Sequence, residues 1–166
     1  PIPQDLFRPL RQSSYGIDLS DRADLKALYE RMEKVLRSMP DKLPWCSSPI
    51  ISGRKTRQGE PTLLVNPALT FQVIGQGCDT PVEQVEKAMT AAHNAFEEWS
   101  TTTAESRAQI LERLSDLLEA GQEELITLLV YEGGKTLPDA VSEVREAVDF
   151  CRYYACEARR LMSLPM

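Results

Sequence analysis

The sequence predicts an α+β fold that is mostly helical, with short β-hairpin strands in its first half. Two observations lead to this prediction. From about residue 80 onward, apolar residues recur at spacings of three and four, the period of an amphipathic helix. Residues 43–67 instead hold four prolines and short β-branched runs, a pattern typical of strands separated by turns.

Size and composition indicate a globular chain. Its 166 residues are 42% apolar and 27% charged, which suits one domain of ordinary size. No apolar run is long enough to span a membrane, and residues 1–20 lack the pattern of a secretory signal, so we expect a cytoplasmic protein. The net charge of −6 argues against nucleic-acid binding.

The cysteines do not indicate a metal site. The four cysteines form no C-x-x-C pair, and the chain holds a single histidine, so we expect no bound metal. On a helix, Cys151 and Cys156 would lie roughly 140° apart around the axis, a poor arrangement for a disulfide. Reduced thiols are the simplest expectation.

The first half of the chain is expected to hold one helix and three strands. Residues 1–20 are rich in turn formers, and a helix follows over 21–37, capped by Ser20 and ended by Met39-Pro40. Strands are predicted at 50–52, 62–65 and 70–74. The basic cluster of Arg54, Lys55 and Arg57 is expected at a solvated hairpin tip.

The second half predicts four helices. The first begins with a capping box, in which Thr80 caps and Glu83 reaches back. It is followed by helices over 104–120, 123–131 and 136–161, with Gly121 as a C-terminal cap and Thr136 as an N-terminal cap. The inward faces are predicted to carry Val82, Val85, Met89, Ala92, Phe96 and Trp99 on the first; Ile110, Leu111, Leu114, Leu117 and Leu118 on the second; Leu125, Leu128 and Leu129 on the third; and Val141, Val144, Val148, Cys151 and Ala155 on the fourth.

The pattern alone leaves a second function class open. Four amphipathic helices could form a bundle, so the chain could be a free-standing helical scaffold for protein interactions. The long apolar stripe of the last helix favours the alternative that this helix belongs to a larger domain.

The order of several short motifs resembles the opening of an aldehyde dehydrogenase. These motifs are Asn66-Pro67-Ala68, Val73-Ile74-Gly75, Ala95-Phe96-Glu97-Glu98-Trp99, Ser106-Arg107-Ala108-Gln109-Ile110-Leu111 and Glu132-Gly133-Gly134-Lys135-Thr136-Leu137. The string at residues 142–155 resembles a helix of the glutamate-semialdehyde dehydrogenase half of bifunctional proline utilization A proteins. The string at residues 11–20 resembles one that lies between the two enzyme halves of those proteins. Ser13 departs from that pattern, where asparagine is usual.

The resemblance implies a place in a larger enzyme. Residues 1–42 would be an arm and first helix leading into the dehydrogenase, and residues 43–166 the N-terminal part of its α/β, Rossmann-type NAD-binding domain. The parent would oxidise L-glutamate γ-semialdehyde to L-glutamate with NAD, fused to an FAD-dependent proline dehydrogenase. The remainder of the dehydrogenase domain would be the partner of this segment, and the parent is expected to be a homo-oligomer.

The groups that carry the family's chemistry would lie outside this segment. Aldehyde dehydrogenases use a cysteine nucleophile, a glutamate that activates water and an amide-lined oxyanion site. We therefore expect no catalytic, cofactor-binding or metal-binding residue here and no activity of the segment alone. Gly75-Gln76-Gly77-Cys78 spells the form of the nucleophile motif, but it precedes the first long helix, so Cys78 is interpreted as an ordinary turn cysteine.

Three residues of the last helix form a group that admits a structural and a functional interpretation. Glu143, Glu146 and Phe150 are spaced to share one helix face. They are interpreted first as a solvated acidic edge with one core aromatic. The resemblance adds a second interpretation, in which Glu143 and Phe150 line the path by which the semialdehyde enters.

Overall fold

The computed structural model describes residues 3–38, 45–56 and 59–162. Within these ranges the helices are α1 (Arg22–Ser38), α2 (Val82–Thr101), α3 (Ala104–Ala120), α4 (Gln122–Tyr131) and α5 (Leu137–Met162). The strands are β1 (Trp45–Ser47), β2 (Ile50–Ile51), β3 (Arg54–Lys55), β4 (Pro61–Asn66) and β5 (Leu69–Cys78). A mostly helical α+β fold with short strands is therefore confirmed.

The chain divides into two compact units. The first comprises Pro1–Ser38, Thr103–Val130 and Lys135–Met166, and the second comprises Met39–Thr102 and Tyr131–Gly134. The predicted end of the first helix at Met39-Pro40 and the predicted boundary between residues 42 and 43 lie outside the described residues.

The first unit has a hydrophobic core built by α1, α4 and α5. Apolar side chains from one face of each helix meet there because helical residues three and four apart lie on the same side. The buried members of this core are Leu28, Met32, Ile126, Ala140, Val141 and Val144. The predicted inward face of α5 is thus confirmed, and Val148 and Ala155 continue its buried stripe.

Helix α3 packs on α5, and the residues that it buries fully are small. Ala108 and Ser115 are its buried residues, whereas Ile110, Leu114 and Leu117, which were predicted to point inward, are exposed. Small side chains allow the two helices to approach closely. The prediction identified the apolar face of α3 but was wrong that this face is covered here.

The second unit contains a three-stranded sheet in the order β1-β5-β4. Strands β4 and β5 form the predicted antiparallel hairpin, and β5 runs four residues beyond the predicted end at Ile74 to Cys78. The turn between them is held by Asn66, whose Oδ1 accepts a hydrogen bond from the Ala68 amide at 2.9 Å. Strand β1, which the sequence did not predict, pairs with β5 in parallel.

A second, two-stranded hairpin joins β2 to β3. Its tip is Ser52-Gly53, both at positive φ, and Arg54 and Lys55 lie in the strand β3 rather than at the tip as predicted. Arg57 lies outside the described residues. Thr56 follows β3, and its hydroxyl donates to the Gln84 side chain of α2 at 3.1 Å.

The predicted apolar face of α2 is exposed in this chain. Gln84 is its buried residue, while the large apolar side chains of the predicted inward face lie in solvent: Val82, Val85, Met89, Phe96 and Trp99. The apolar residues of the β4–β5 hairpin are likewise exposed: Leu63, Val65, Leu69, Phe71 and Val73. We call these two sets the α2 stripe and the hairpin face.

The helix caps are partly as predicted. Gly121 caps α3, donating to the Leu117 carbonyl, and the Thr136 hydroxyl accepts from the Asp139 amide at the start of α5. The predicted cap of α2 by Thr80 is wrong, because the N-cap is Pro81, whose carbonyl accepts from the amides of Gln84 and Val85. The predicted cap of α1 by Ser20 is also wrong.

The side chain that caps α1 is the neighbouring carboxylate of Asp21. It accepts from the Ala23 amide at 2.6 Å and from the Asp24 amide at 3.3 Å. Ser20 lies one residue too early for this role and instead donates its amide and hydroxyl to Asp18.

Candidate functional site

The candidate substrate-path residues Glu143 and Phe150 lie on the exposed face of α5, together with Glu146. Glu143, Glu146 and Phe150 are all exposed, as expected for residues three or seven apart on one helix. Phe150 is 51% exposed, so the interpretation of this residue as a core aromatic is wrong for this chain. The structure thus brings the three residues to one surface and does not bury any of them.

Aromatic side chains extend this surface toward the end of α5. The rings of Phe150 and Tyr154 are 6.0 Å apart between centroids, and Tyr153 meets Tyr154 edge-on at 5.2 Å. The guanidinium of Arg11 lies over the Phe7 ring at 3.9 Å and 5.8 Å from the centroid of Tyr153. Sequence reasoning missed these neighbours, although the spacing of Phe150 and Tyr154 is that of a helical pair.

The segment that precedes α1 is fastened to α5 by hydrogen bonds. The Ser14 amide and hydroxyl both donate to the Asp149 carboxylate, at 2.7 Å and 3.0 Å. Arg145 Nε lies 3.4 Å from the Ser14 hydroxyl. The Tyr15 amide donates to Glu119 at 2.8 Å, and Glu119 is itself paired with Arg152 at 2.7 Å. The string at residues 11–20 therefore lies against α3 and α5, held through Ser14 and Tyr15.

Glu143 is held by a lysine from the turn before α5. Lys135 Nζ lies 2.6 Å from Glu143 Oε1, and both side chains are partly exposed. The hydrogen bond to Glu143 raises the pKa of Lys135, so its ammonium stays charged at neutral pH. Sequence reasoning missed this pair, because the two residues do not share a helix.

The string Gly75-Gln76-Gly77-Cys78 is the end of strand β5 and not a turn. Its residues pair with β1 on one side and β4 on the other. A Cβ atom at Gly75 would collide with the Trp45 carbonyl oxygen, and one at Gly77 would lie 3.0 Å from the Ser47 hydroxyl. The absence of side chains at these glycines therefore allows β1 to approach β5. The interpretation of Cys78 as a turn cysteine is wrong, because Cys78 is the last residue of strand β5.

No clustered set of metal ligands appears in the described part of the chain. No group of three or more histidine, cysteine, aspartate or glutamate side chains occurs there that could hold an ion. No disulfide joins the described cysteines, and burial raises the pKa of Cys151, which keeps that thiol protonated at neutral pH. No helix in those residues combines the length and the apolar character needed to cross a membrane.

This surface presents groups that can form ion pairs and ring contacts. It offers the carboxylates of Glu143 and Glu146, an aromatic wall and nearby cations. A nucleophile, by contrast, needs a thiolate or hydroxyl beside a base, and the half-buried, protonated Cys151 thiol does not provide one.

Comparison with known sequences places these observations in a family. Residues 54–165 match the aldehyde dehydrogenase family. The chain is 37% identical over 159 residues to the bifunctional protein PutA of Salmonella typhimurium, covering 96% of this chain and 12% of that protein. It is 31% identical over 149 residues to the 1-pyrroline-5-carboxylate dehydrogenase of Staphylococcus epidermidis, covering 90% of this chain and 28% of that protein.

Solved structures agree with the sequence comparisons. The fold matches proline utilization A from Bdellovibrio bacteriovorus with a TM-score of 0.83 at 29% identity, over 94% of this chain and 16% of that one. It matches an NAD-bound 1-pyrroline-5-carboxylate dehydrogenase from Thermus with a TM-score of 0.82 at 26% identity, over 97% of this chain and 31% of that one. This chain thus spans less than a third of the length of each of these relatives, and it belongs to the aldehyde dehydrogenase family.

Proposed function

We propose that this chain is the N-terminal, non-catalytic part of an NAD-dependent dehydrogenase that oxidises L-glutamate γ-semialdehyde to L-glutamate in proline breakdown. The observation that supports this most is the extent of the similarity. The family match begins at residue 54, whereas the similarity to PutA covers 96% of the chain and so includes residues before that point. The similarity to the 1-pyrroline-5-carboxylate dehydrogenase of Staphylococcus epidermidis covers 90% of the chain and therefore also includes part of that earlier segment.

We further propose that residues 1–42 form an arm leading into the dehydrogenase and that residues 43–166 begin its cofactor domain. The parent would be fused to an FAD-dependent proline dehydrogenase, which the similarity to the bifunctional PutA protein supports. We also propose a homo-oligomeric parent in the cytoplasm. The lack of a disulfide among the described cysteines agrees with a reducing compartment.

NAD is expected to bind outside this segment. A dinucleotide site needs a glycine-rich turn between a strand and a helix, so that backbone amides can approach the pyrophosphate. The junction between β5 and α2 instead carries Asp79, Thr80 and Pro81, and Glu83 stands in the first turn of α2. An aspartate, a glutamate and a proline without an N–H do not fit a phosphate site.

The role of the segment is proposed to be structural. The α2 stripe and the hairpin face expose large apolar side chains, Phe71 being 84% exposed. Exposed apolar patches of this kind are typical of surfaces that another part of a protein covers. The remainder of the dehydrogenase domain is the proposed cover, and the segment alone is proposed to be inactive.

Glu143 and Phe150 are proposed to line the path by which the semialdehyde reaches the active site. Their exposure on one face of α5 beside Tyr154 supports this proposal, because a path needs accessible side chains. Replacing Glu143 by alanine in the full-length enzyme is expected to raise the KM for the semialdehyde. An unchanged KM would remove Glu143 from the path.

The proposed activity is tested by measuring NAD reduction with pyrroline-5-carboxylate. The 166-residue chain and a full-length protein containing it are assayed side by side, with propanal as a control aldehyde. Activity toward pyrroline-5-carboxylate in the full-length protein alone is the expected result. If the full-length protein oxidised propanal but not pyrroline-5-carboxylate, it would still be an aldehyde dehydrogenase, but the proposed substrate would be wrong.

A free-standing helical scaffold is the second candidate function. The observation that favours it is the core of the first unit, which α1, α4 and α5 build among themselves. A scaffold is expected to unfold in one cooperative transition without binding an apolar dye. A covering segment is expected to bind the dye through the α2 stripe or to self-associate.

A further inference from the structure

The turn that precedes α5 carries a lysine whose backbone is fixed at both ends. The Lys135 amide donates to the Leu129 carbonyl of α4 at 3.2 Å. The next residue, Thr136, begins the cap of α5, and its hydroxyl donates to the Asp139 carboxylate at 2.6 Å. Lys135 is therefore anchored between the end of one helix and the start of the next.

From this position the lysine side chain reaches the carboxylate of Glu143. The ammonium contacts Oε1 at 2.6 Å, with 35% of the lysine side chain and 47% of the glutamate side chain exposed. In the described part of the chain no other cation contacts this carboxylate. Glu143 would otherwise be a flexible, solvated side chain on the outer face of α5.

We propose that Lys135 is a positioning residue, which holds the Glu143 carboxylate in a fixed orientation on the path of the semialdehyde. This inference rests on the function proposed above for Glu143. One carboxylate oxygen is bound by the ammonium, so the rotamer of Glu143 is selected before the substrate arrives. Lys135 itself does not need to touch the substrate.

Orientation of a binding group before the ligand arrives lowers the entropy that binding must remove. Loss of Lys135 is therefore expected to change KM rather than kcat. A partly exposed ion pair contributes modestly, so the expected rise in KM is roughly two- to fivefold. The KM for NAD should not change, because the pair is proposed to lie on the path of the other substrate.

The experiment compares four variants of the full-length enzyme: Lys135→Ala, Lys135→Arg, Glu143→Ala and the double variant Lys135→Ala/Glu143→Ala. Lys135→Ala is expected to raise the KM for the semialdehyde with kcat and the KM for NAD unchanged. Lys135→Arg should have a KM close to that of the wild-type enzyme, because arginine keeps the positive charge. The double variant should equal Glu143→Ala, since Lys135 is proposed to act through that carboxylate.

Lys26→Ala serves as a matched control, since Lys26 pairs with Glu30 on the exposed surface of α1 at 3.7 Å. It is expected to leave the KM for the semialdehyde unchanged. A Lys135→Ala variant with an unchanged KM would overturn the inference, and so would effects that simply add in the double variant. If Glu143→Ala raises KM while Lys135→Ala does not, the positioning role of Lys135 is wrong but the role of Glu143 in the substrate path is kept. If Glu143→Ala leaves KM unchanged, the role of Glu143 in the substrate path is itself wrong.

Discussion

Ser14 and Asp149 are joined by two hydrogen bonds, one from the Ser14 amide to Oδ1 at 2.7 Å and one from its hydroxyl to Oδ2 at 3.0 Å. The residues are 135 apart in the sequence. Ser14 is buried, so the carboxylate replaces the water that its amide would otherwise bind. This contact fixes the segment before α1 on the surface of α5.

Replacing Asp149 by alanine should lower the free energy of unfolding by about 1–3 kcal/mol, because two donors of Ser14 lose a charged acceptor. Ser14→Ala should cost about 1 kcal/mol, since only the hydroxyl is lost. Urea denaturation of the chain measures both. Asp116→Ala is the control, because Asp116 lies 66% exposed near Arg152 and should cost less than about 0.5 kcal/mol. Equal costs for Asp116 and Asp149 would contradict the prediction.

Arg159 clamps α3 to α5 by contacting two glutamates. Its guanidinium contacts Glu105 at 2.6 Å and Glu112 at 2.9 Å through separate nitrogens. The hydrogen bonds from Arg159 lower the pKa of both carboxyls below 4.5. A lowered pKa in the folded state gives stability that is present above the unfolded pKa and lost as pH falls through the folded one.

The stability of the wild-type chain should therefore decline as pH falls below about 4.5, and Arg159→Met should weaken this dependence. Urea denaturation between neutral and acidic pH measures the slope in each protein. Arg37→Met is the control, because Arg37 pairs with Glu33 within α1 on the exposed surface. An unaltered slope in Arg159→Met would show that the clamp does not set the acid sensitivity.

Replacing Gly75 by alanine should destabilise the pairing of β1 with β5. The added Cβ would meet the Trp45 backbone, which cannot move away without breaking the strand pair. Overpacking of this kind costs about 1–3 kcal/mol. Gly77→Ala is the matched comparison, since its Cβ meets only the Ser47 hydroxyl, a group that can rotate. Thermal unfolding should give a lower Tm for Gly75→Ala than for Gly77→Ala. The reverse order of the two Tm values would contradict this explanation.

Introducing charge into the α2 stripe should reduce dye binding by the isolated chain. Phe96→Glu places a carboxylate at the centre of exposed apolar side chains without disturbing a buried contact. The control is Asn94→Glu, which is exposed on the same helix but on the side opposite the stripe. Binding of an apolar fluorescent dye should fall for Phe96→Glu only. A full-length enzyme carrying Phe96→Glu should lose stability if this face is covered there.

The sequence could predict those features that depend on residues close in the chain. The bounds of α3 were predicted to the residue, since Gly121 and the helical period are local signals. The caps of α1 and α2 were misassigned by one residue, because neighbouring polar residues compete for the same amides and only the backbone angles decide between them. Periodicity identified the apolar faces of α2 and α3, but it contains no information on what covers them.

Features that depend on distant residues were not predicted. Strand β1 has only three residues and no alternating pattern, and its partner β5 lies far along the chain. Of the candidate site, the shared face of Glu143 and Phe150 followed from helical spacing. The partner Lys135 did not, because its position depends on the path of the turn before α5.

The parallel pairing of β1 with β5 has a consequence for the order in which the sheet assembles. The β4–β5 hairpin closes through the short turn at Asn66, and hairpins of this kind form in about 1–10 μs. Cys46 instead pairs with Gln76, so β1 can add only after a much longer loop has closed. Trp45 sits at that junction, and its fluorescence during refolding should follow the slower event, after hairpin hydrogen bonds already protect β5 from amide exchange.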